Sequence, residues 1–307
     1  MNETYCARVA QVLRYIEENL GRSLSLGELA EVSHFSPYHF HRIFGGVMGE
    51  TVNDYVRRRR VETAVNLLAF RPHLSITDVA LSCGFSSSAN FAKALTQYFG
   101  YAPSQIRQPN KIKNRKIGKV FSKYGKEFDP YALYPWLQTT DADDDDPNPA
   151  LGDVRVEQWA AQSMVQRLAA GGYTPAAVFG TWDRLIALAE GHGVAASDQQ
   201  RFGLCYDNPA VTPLDKCRYE AAVVLPEAVV VKRRFVRSTL PAGPYAVLPF
   251  VEPADETSAA QLGLYARWLP SSGFEPDGFP LLERYRNDGR QTGIVEMDIC
   301  IKLRKLE

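Results

Sequence analysis

Apolar residues recur every three or four positions through the first hundred residues of the chain. This spacing places them on one face of a helix with 3.6 residues per turn, so it predicts a series of amphipathic helices. Glycine and proline stand between the apolar series, as is typical of helix ends. The first third of the sequence is therefore predicted to form an all-helical domain. The series include Val9, Val12, Leu13 and Ile16 at the start and Val61, Ala64, Val65 and Leu68 further on.

Two segments of this helical region repeat one another. Residues 24–40 align with residues 74–91 at an offset of fifty and, after a one-residue insertion, of fifty-one. Each copy has an alanine on the inner face of a short helix, Ala30 or Ala80, and a phenylalanine after the turn. Alanine allows two helices to cross closely, and the next helix is then presented outward, as in helix-turn-helix units. The sequence predicts two such units joined by a helix over residues 51–69.

From residue 152 onward, apolar and polar residues alternate instead, which is typical of half-buried β-strands. Two helical patterns interrupt the strands, near residues 176–190 and 257–270. Each helix carries a tryptophan and is followed by a glycine turn and two further strands, a pattern that suggests an internal duplication. The similarity is faint, so a duplicated and an unduplicated fold both stay open. The predicted strands include VRVEQW, SMVQRLAA, YEAAVVLP, KRRFVRSTL, YAVLPFVE and VEMDICIKL.

These patterns divide the chain into two domains and a linker. Residues 1–108 are predicted to form an all-α domain, and residues 152–307 an α+β domain of strand-helix-strand-strand units. Residues 109–151 separate them. The basic run at residues 108–126 suits either phosphate contacts or a solvated tether. Residues 139–150 are acidic and proline-bearing without apolar periodicity, which is typical of an extended linker or loop. The consecutive carboxylates Asp143 to Asp146 favour solvation over metal binding, because no shaped loop surrounds them. We therefore expect a multidomain protein of the α and α+β classes.

The net charge of zero is divided unevenly along the chain. Residues 1–126 hold 18 Lys and Arg against 9 Asp and Glu, whereas residues 127–307 hold 17 against 26. A basic half next to an acidic half is typical of a module for a polyanion joined to a different function. The run Arg57 to Arg60 suggests phosphate contacts. Four successive helical residues cannot face one way, however, so Arg59 or Arg60 is expected at the ordinary surface.

Cysteine usage and hydropathy argue against several other classes. The five cysteines are scattered and never form a CxxC pair, which disfavours both a disulfide framework and a cysteine zinc site. Apolar stretches are far shorter than the roughly 20 residues that cross a bilayer, and the first residues lack a signal-peptide pattern. We expect a cytoplasmic protein without a membrane partner, a metal ion or a cofactor.

The segment ITDVALSCGFSSSANFAKALTQYFGYAPSQIR, residues 76–107, follows a highly specific pattern. With LGELAEVSHFSPYHFHRIFGG in the first copy, it resembles the DNA-binding domain of AraC/XylS-type transcription regulators. The resemblance implies double-stranded DNA as the partner, with two recognition helices in successive major grooves. RNA polymerase stays open as a further partner. The implied DNA contacts are Tyr38, His41 and Arg42 in the first recognition helix and Ser88, Ala89, Asn90 and Lys93 in the second.

Arg42 is the strongest candidate for reading a base. Its guanidinium group can donate two hydrogen bonds to O6 and N7 of guanine, which discriminates that base from the others. A phosphate contact or a solvated position is the alternative. Ala89 offers only a methyl group, so the second helix is expected to read sequence weakly.

The segments AAVFGTWDRL, LPAGPYAVLPF, LLERYRNDGR and EMDICI resemble the GyrI-like effector-binding domain. The resemblance implies a pseudo-twofold pair of strand-helix-strand-strand units with a cleft for a small-molecule effector. An apolar cleft with a buried glutamate favours a cationic aromatic ligand, through ion pairing and cation–π contacts. Core packing, or a solvated strand end for the glutamates, is the alternative role. The candidates are Trp182, Tyr206, Tyr245, Phe250, Tyr265, Trp268, Glu283 and Glu296, with Tyr219 and Glu220 in second rank.

Two other functions stay open. Some GyrI-like domains resemble hydrolases of reactive xenobiotics, for which Glu283 with Tyr285, or Glu296, would supply acid/base chemistry. The sequence shows no Ser-His-Asp order, metal constellation or phosphate loop that would support turnover. The acidic domain is also compatible with sequestration of a basic protein such as gyrase. The main expectation is a non-enzymatic, sequence-specific transcription regulator that responds to a small molecule.

Overall fold

The structure, a computed structural model, describes residues 3–108, 153–209, 211–287 and 289–305. The linker expected over residues 109–151 lies outside the described residues. The chain divides into two compact units, one helical and N-terminal, the other C-terminal and built around a sheet. No helix within the described ranges is long and apolar enough to span a bilayer.

Seven helices form the described N-terminal part, in agreement with the predicted all-helical domain. Serine side chains cap the two longer helices of the repeat, because Ser36 and Ser87 accept hydrogen bonds from backbone N–H groups three residues on. The helices are α1 (Glu3–Glu18), α2 (Leu26–Val32), α3 (Pro37–Met48), α4 (Val52–Phe70), α5 (Ile76–Ser82), α6 (Ser88–Phe99) and α7 (Pro103–Arg107).

The repeat seen in the sequence is present in the fold. Helices α2 and α5 each have seven residues and lie fifty positions apart, and α3 and α6 each have twelve and lie fifty-one apart. The same bond closes both turns: the N–H of Phe35 donates to the carbonyl of Ala30 at 3.1 Å, and that of Phe85 to Ala80 at 3.0 Å. Both alanines are buried. Two equivalent helix-turn-helix units are therefore formed, with α4 between them.

The arginine run in α4 is not the phosphate-anchoring surface that its sequence suggests. Arg58 and Arg59 are only 1% and 5% exposed, and both pair with glutamates. Arg60 is half-buried and donates to two backbone carbonyls that follow α1. Arg57 remains exposed. The expectation that Arg59 or Arg60 lies at the ordinary surface is wrong, because carboxylates and carbonyls distant in sequence receive these guanidinium groups.

The C-terminal unit consists of one antiparallel sheet and two helices within the described residues. The second helical pattern of the sequence is α-helical only in its first part, and a π-helical turn at Leu264–Trp268 and a 3-10 turn at Leu269–Ser271 follow it. The elements are β1 (Arg155–Trp159), β2 (Gln162–Leu168), α8 (Pro175–Glu190), β3 (Arg201–Cys205), β4 (Tyr219–Val224), β5 (Val236–Leu240), β6 (Gly243–Pro253), α9 (Thr257–Gly263), β7 (Phe274–Pro276), β8 (Leu281–Tyr285) and β9 (Ile294–Lys305).

The sheet has the order β1-β6-β9-β8-β3-β4-β2-β5, and β7 pairs with β9. Strands β3 and β8 therefore lie side by side near the centre, with Gly203 opposite Glu283. Alternate residues point to opposite faces of a strand, so residues of the two strands divide between the faces. One face packs with Leu185 and Ala189 of α8, and the other carries a second apolar cluster that includes Leu282. This arrangement places the candidate effector residues on two different faces.

Candidate functional site

The predicted DNA-contacting side chains of α3 lie on its exposed surface. Tyr38 is 66% exposed, and His41 and Arg42 are exposed as well. Arg42 Nη1 donates a hydrogen bond to Tyr38 Oη at 2.5 Å, and the guanidinium carbon lies 5.5 Å from the centroid of that ring. The tyrosine thus holds an exposed cation on the first turns of the helix.

Helix α6 presents a matching but less basic surface. Ala89, Asn90 and Lys93 are exposed, whereas Ser88 is half-buried. Lys93 stands fifty-one positions after Arg42, so the two units carry an exposed cation at the same place in their second helices. Cations at exposed, equivalent positions of two helices are suited to a polyanionic partner.

A cavity of about 480 Å³ lies between α8 and the ends of β3, β8 and β9 in the C-terminal unit. This volume is in the range of small-molecule sites. Four aromatic residues contribute to its walls, together with aliphatic side chains from α8. The cavity is therefore shaped for a small, largely apolar ligand with aromatic character. The four aromatic residues are Tyr173, Phe179, Trp182 and Tyr285.

Hydrogen bonds join the wall of this cavity to the buried carboxyl group of Glu283. Tyr285 Oη donates to Glu283 Oε2 at 2.6 Å, and Gln261 Nε2 donates to Oε1 at 3.0 Å. Trp182 Nε1 donates to Tyr219 Oη at 3.0 Å, and that hydroxyl donates to Tyr285 Oη at 3.3 Å. Burial raises the pKa of the Glu283 carboxyl, while these bonds to Tyr285 and Gln261 act in the opposite direction. Both carboxyl oxygens of Glu283 are thus bound by side chains of the protein itself.

Gly203 makes room for this cluster at the centre of the sheet. A Cβ at this position would lie 2.5 Å from Tyr219 Oη and 3.0 Å from Glu283 Oε2. The first distance is shorter than real Cβ atoms show, and the second is at the lower limit. Only glycine therefore fits here without displacement of the tyrosine. The absence of a side chain in the middle of a strand therefore marks the site.

Three further candidates share the core on the same face of the sheet. Phe250 is 6% exposed, and Tyr265 and Trp268 pack against the same apolar cluster as Trp182. Burial raises the pKa of the Tyr265 hydroxyl to about 12. These three residues support the walls from the core and are not among the described residues that line the cavity.

The remaining candidates lie away from Glu283. Tyr206 and Tyr245 belong to the apolar cluster on the opposite face, where Tyr206 Oη donates to the buried Glu220 at 3.0 Å. Tyr245 donates to the carbonyl of Pro241. Glu296 is exposed on β9. The strand alternation separates these side chains from the cavity, so the eight candidates do not form one cleft.

Sequence reasoning missed several residues of the cavity wall. Phe179 precedes Trp182 by three positions, which puts both on one side of α8, so helical spacing could have indicated it. Tyr173 comes just before that helix, and Arg201 and Arg290 come from distant segments. Nothing in the local sequence indicates that the two arginines share a cavity, because only the sheet pairing brings them together.

Comparison with known proteins finds a different family in each of two parts of the chain. The helix-turn-helix domain family matches residues 29–109, and the GyrI-like small molecule binding domain family matches residues 153–304. The HTH-type transcriptional activator AarP of Providencia stuartii is 35% identical over 99 residues, which cover 32% of this chain and 73% of AarP. The XylDLEGF operon transcriptional activator 2 of Pseudomonas putida is 37% identical over 106 residues, which cover 34% of this chain and 67% of that protein.

A solved structure and further relatives match the same fraction of the chain. The structure of a probable AraC family transcriptional regulator from Rhodopseudomonas palustris CGA009 is 32% identical, with a TM-score of 0.31, over 33% of this chain and 95% of its own. Two further curated relatives are matched over 50% and 37% of their own length. The chain belongs to the AraC/XylS-type family of transcription regulators and carries a GyrI-like small molecule binding domain.

Proposed function

We propose that the chain regulates transcription by binding double-stranded DNA through α3 and α6, under the control of a small molecule bound in the cavity of the C-terminal unit. The observation that carries the proposal is the pair of equivalent helix-turn-helix units. Each has a buried alanine, the same turn-closing bond and an exposed cation in its second helix. One chain can thereby offer two helices to a single duplex.

The residues proposed to contact DNA are the exposed ones on these two helices. In α3, Arg42 is proposed to read a base, with its guanidinium group held by Tyr38. In α6, Lys93 is proposed to contact a phosphate, and Asn90 to reach a base edge. The proposed output is activation, by likeness to the relatives named transcriptional activators, with RNA polymerase as the partner of the DNA-bound chain.

The effector domain is proposed to consist of two strand-helix-strand-strand units. The first unit is β2-α8-β3-β4 and the second is β6-α9-β8-β9. The sheet order supports this division, because β3 and β8 form the central pair and β4 and β9 flank them in turn. The proposed effector site then lies at the junction of the units, with its walls drawn from both.

A titration of the full chain into labelled DNA tests the function. Fluorescence anisotropy would compare a duplex from upstream of its own gene with a scrambled duplex, at two salt concentrations. We expect the upstream duplex to be bound about a thousandfold more tightly or better, as specific regulators bind their sites. Equal and steeply salt-dependent binding of both duplexes would mean that only charge is recognised there.

Arg42→Ala is expected to weaken binding of the upstream duplex between about fivefold and about 150-fold, because a two-bond contact to guanine is lost. The same variant should bind the scrambled duplex almost as the parent chain does. Arg304→Ala is the matched control, since it removes one exposed positive charge from β9. If both variants weaken binding equally, Arg42 contributes charge and does not read a base.

The cavity is proposed to bind its ligand without converting it. AarP and the XylDLEGF operon transcriptional activator 2 are named as activators, and both oxygens of Glu283 accept hydrogen bonds from Tyr285 and Gln261. The hydrolytic alternative draws its support from Tyr285, whose side chain lines the cavity and contacts Glu283. Ligand recovered unchanged after prolonged incubation is the expected result, and a hydrolysis product would favour the alternative.

A further inference from the structure

The charged residues in the described lining of the cavity are cationic. Among the described residues that line it, Arg201 and Arg290 are charged, and none is acidic. Glu283 is not among them; its buried carboxyl group accepts a hydrogen bond from Tyr285, which does line the cavity. Among the described residues, the charged side chains that line the cavity thus suit an anionic group better than a cationic one.

Arg201 is placed in the cavity by the central strands. It is the first residue of β3 and is in register with Tyr285 of β8 and Val223 of β4. Directly opposed residues of neighbouring strands point to the same face, so its side chain lies beside the ring of Tyr285. Arg201 therefore lies on the same face of the sheet as an aromatic residue of the cavity wall.

The side chain of Arg201 has an unsatisfied donor. Its Nε is buried and has no hydrogen-bond partner among the described residues. A buried N–H without an acceptor is unfavourable, and proteins rarely retain one unless a water, an ion or a ligand completes it. Within the described part of the chain, this N–H group is thus available to an acceptor of a ligand.

Arg290 differs from Arg201 in this respect. Its Nη2 pairs with Asp183 of α8 at 2.7 Å, and its guanidinium carbon lies 4.9 Å from the ring centroid of Phe179. The charge of Arg290 is therefore offset by a carboxylate of the protein. An anionic ligand would therefore accept a hydrogen bond from Arg201 more readily than from Arg290.

We propose that the effector is an aromatic carboxylate, with its carboxylate group bound to Arg201 and its ring packed among Phe179, Trp182 and Tyr285. A guanidinium group suits a carboxylate because its N–H groups can donate two parallel bonds. The inference rests on the proposed function of the cavity as an effector site. It reverses the preference for a cationic ligand that the sequence suggests, because Glu283 is held by the protein's own donors.

Three probes with the same naphthyl ring, similar size and different charge test the ligand class. Isothermal titration calorimetry of the full chain at neutral pH would use 2-naphthoate, 2-naphthylmethanol and 2-naphthylmethylammonium. We expect 2-naphthoate to bind at least about tenfold more tightly than either other probe, since it alone supplies the missing acceptor as an anion.

Arg201→Met should reduce the affinity for 2-naphthoate at least about tenfold and leave that for 2-naphthylmethanol nearly unchanged. Arg201→Gln keeps a hydrogen-bond donor but loses the charge. Its affinity for 2-naphthoate should lie between those of the parent chain and Arg201→Met. The matched control is Arg184→Met on α8, whose side chain donates to the carbonyl of Gly180 and does not line the cavity. Its affinities should equal those of the parent chain.

The possible failures can be told apart. Equal affinity for all three probes, or tighter binding of the ammonium probe, overturns the proposed ligand class while the effector site stands. Unchanged 2-naphthoate binding by Arg201→Met overturns the role of Arg201. If none of the probes binds, the cavity is not a site for small aromatic ligands, and the effector function fails with the inference.

Discussion

Replacing Arg58 with methionine is expected to lower the free energy of unfolding of the helical domain by about 3–5 kcal/mol. The side chain is 1% exposed, and its Nη2 lies 2.6 Å from Glu50 Oε1 while its Nη1 lies 3.0 Å from Glu62 Oε2. Methionine would fill most of the space but remove the Arg58 charge from the buried carboxylates of Glu50 and Glu62, although Glu62 would keep its pair with Arg59 at 2.8 Å. An uncompensated buried charge costs far more than an intact buried pair contributes.

Circular dichroism at 222 nm during urea unfolding would measure this effect. None of the four tryptophans lies in residues 1–108, so tryptophan fluorescence follows the rest of the chain and serves as an internal reference. Arg57→Met is the matched control on the same helix: it removes the same charge from an exposed position and should change stability by less than about 1 kcal/mol. Adding Glu50→Gln to Arg58→Met should recover part of the loss. Equal effects of the two arginine variants would contradict the account of a buried charge network.

Replacing Arg218 with methionine is expected to destabilise the C-terminal domain by a similar amount, about 3–5 kcal/mol. Arg218 and Asp207 have side chains that are only 3% and 0% exposed. Nη2 lies 2.9 Å from Oδ1, Nε lies 3.0 Å from Oδ2, and the backbone N–H of Arg218 also donates to Oδ2 at 2.6 Å. The pair ties the end of β3 to the start of β4, so its loss should also loosen the strands that carry Gly203 and Tyr219.

Tryptophan fluorescence during urea unfolding is the measurement, because Trp159, Trp182 and Trp268 all belong to the C-terminal unit. Arg304→Met is the control, since its ion pair with Glu275 is 60% exposed on the arginine side and should contribute less than about 1 kcal/mol. Asp207→Asn should restore part of the stability of Arg218→Met. A loss no larger than that of Arg304→Met would show that the buried pair is not needed to hold these strands.

Much of the helical domain could be predicted from the sequence because its signals are local. The spacing of apolar residues, the serine caps and the glycines after α3 and α6 all lie within one helix or at its ends. The match between residues 24–40 and residues 74–91 then shows that α2 is equivalent to α5 and α3 to α6. The burial of Arg58 and Arg59 could not be predicted in this way. Glu17, which pairs with Arg59, lies 42 residues away, and only the folded chain brings the two together.

The sheet can be predicted less completely from the sequence, because its arrangement also depends on residues distant along the chain. Strand β3 reads RFGLC and lies at the centre of the sheet, where both faces are covered, so its apolar residues do not alternate cleanly with polar ones. Residue type identifies the aromatic candidates, but it does not determine which face of a strand a side chain takes. Trp182 of α8 lines the cavity, whereas Tyr206 and Tyr245 lie on the opposite face of the sheet. Arg201 carries no local signal of its role.

Hydroxyl-radical footprinting of the full chain on the upstream duplex tests most directly whether one chain reads DNA with two helices. The account predicts two protected regions on one face of the duplex, about one helical turn or 10–10.5 base pairs apart. Alanine at both Asn90 and Lys93 in α6 should weaken the protection of one region and leave the other. A single protected region that is unaffected by these two substitutions would contradict the claim.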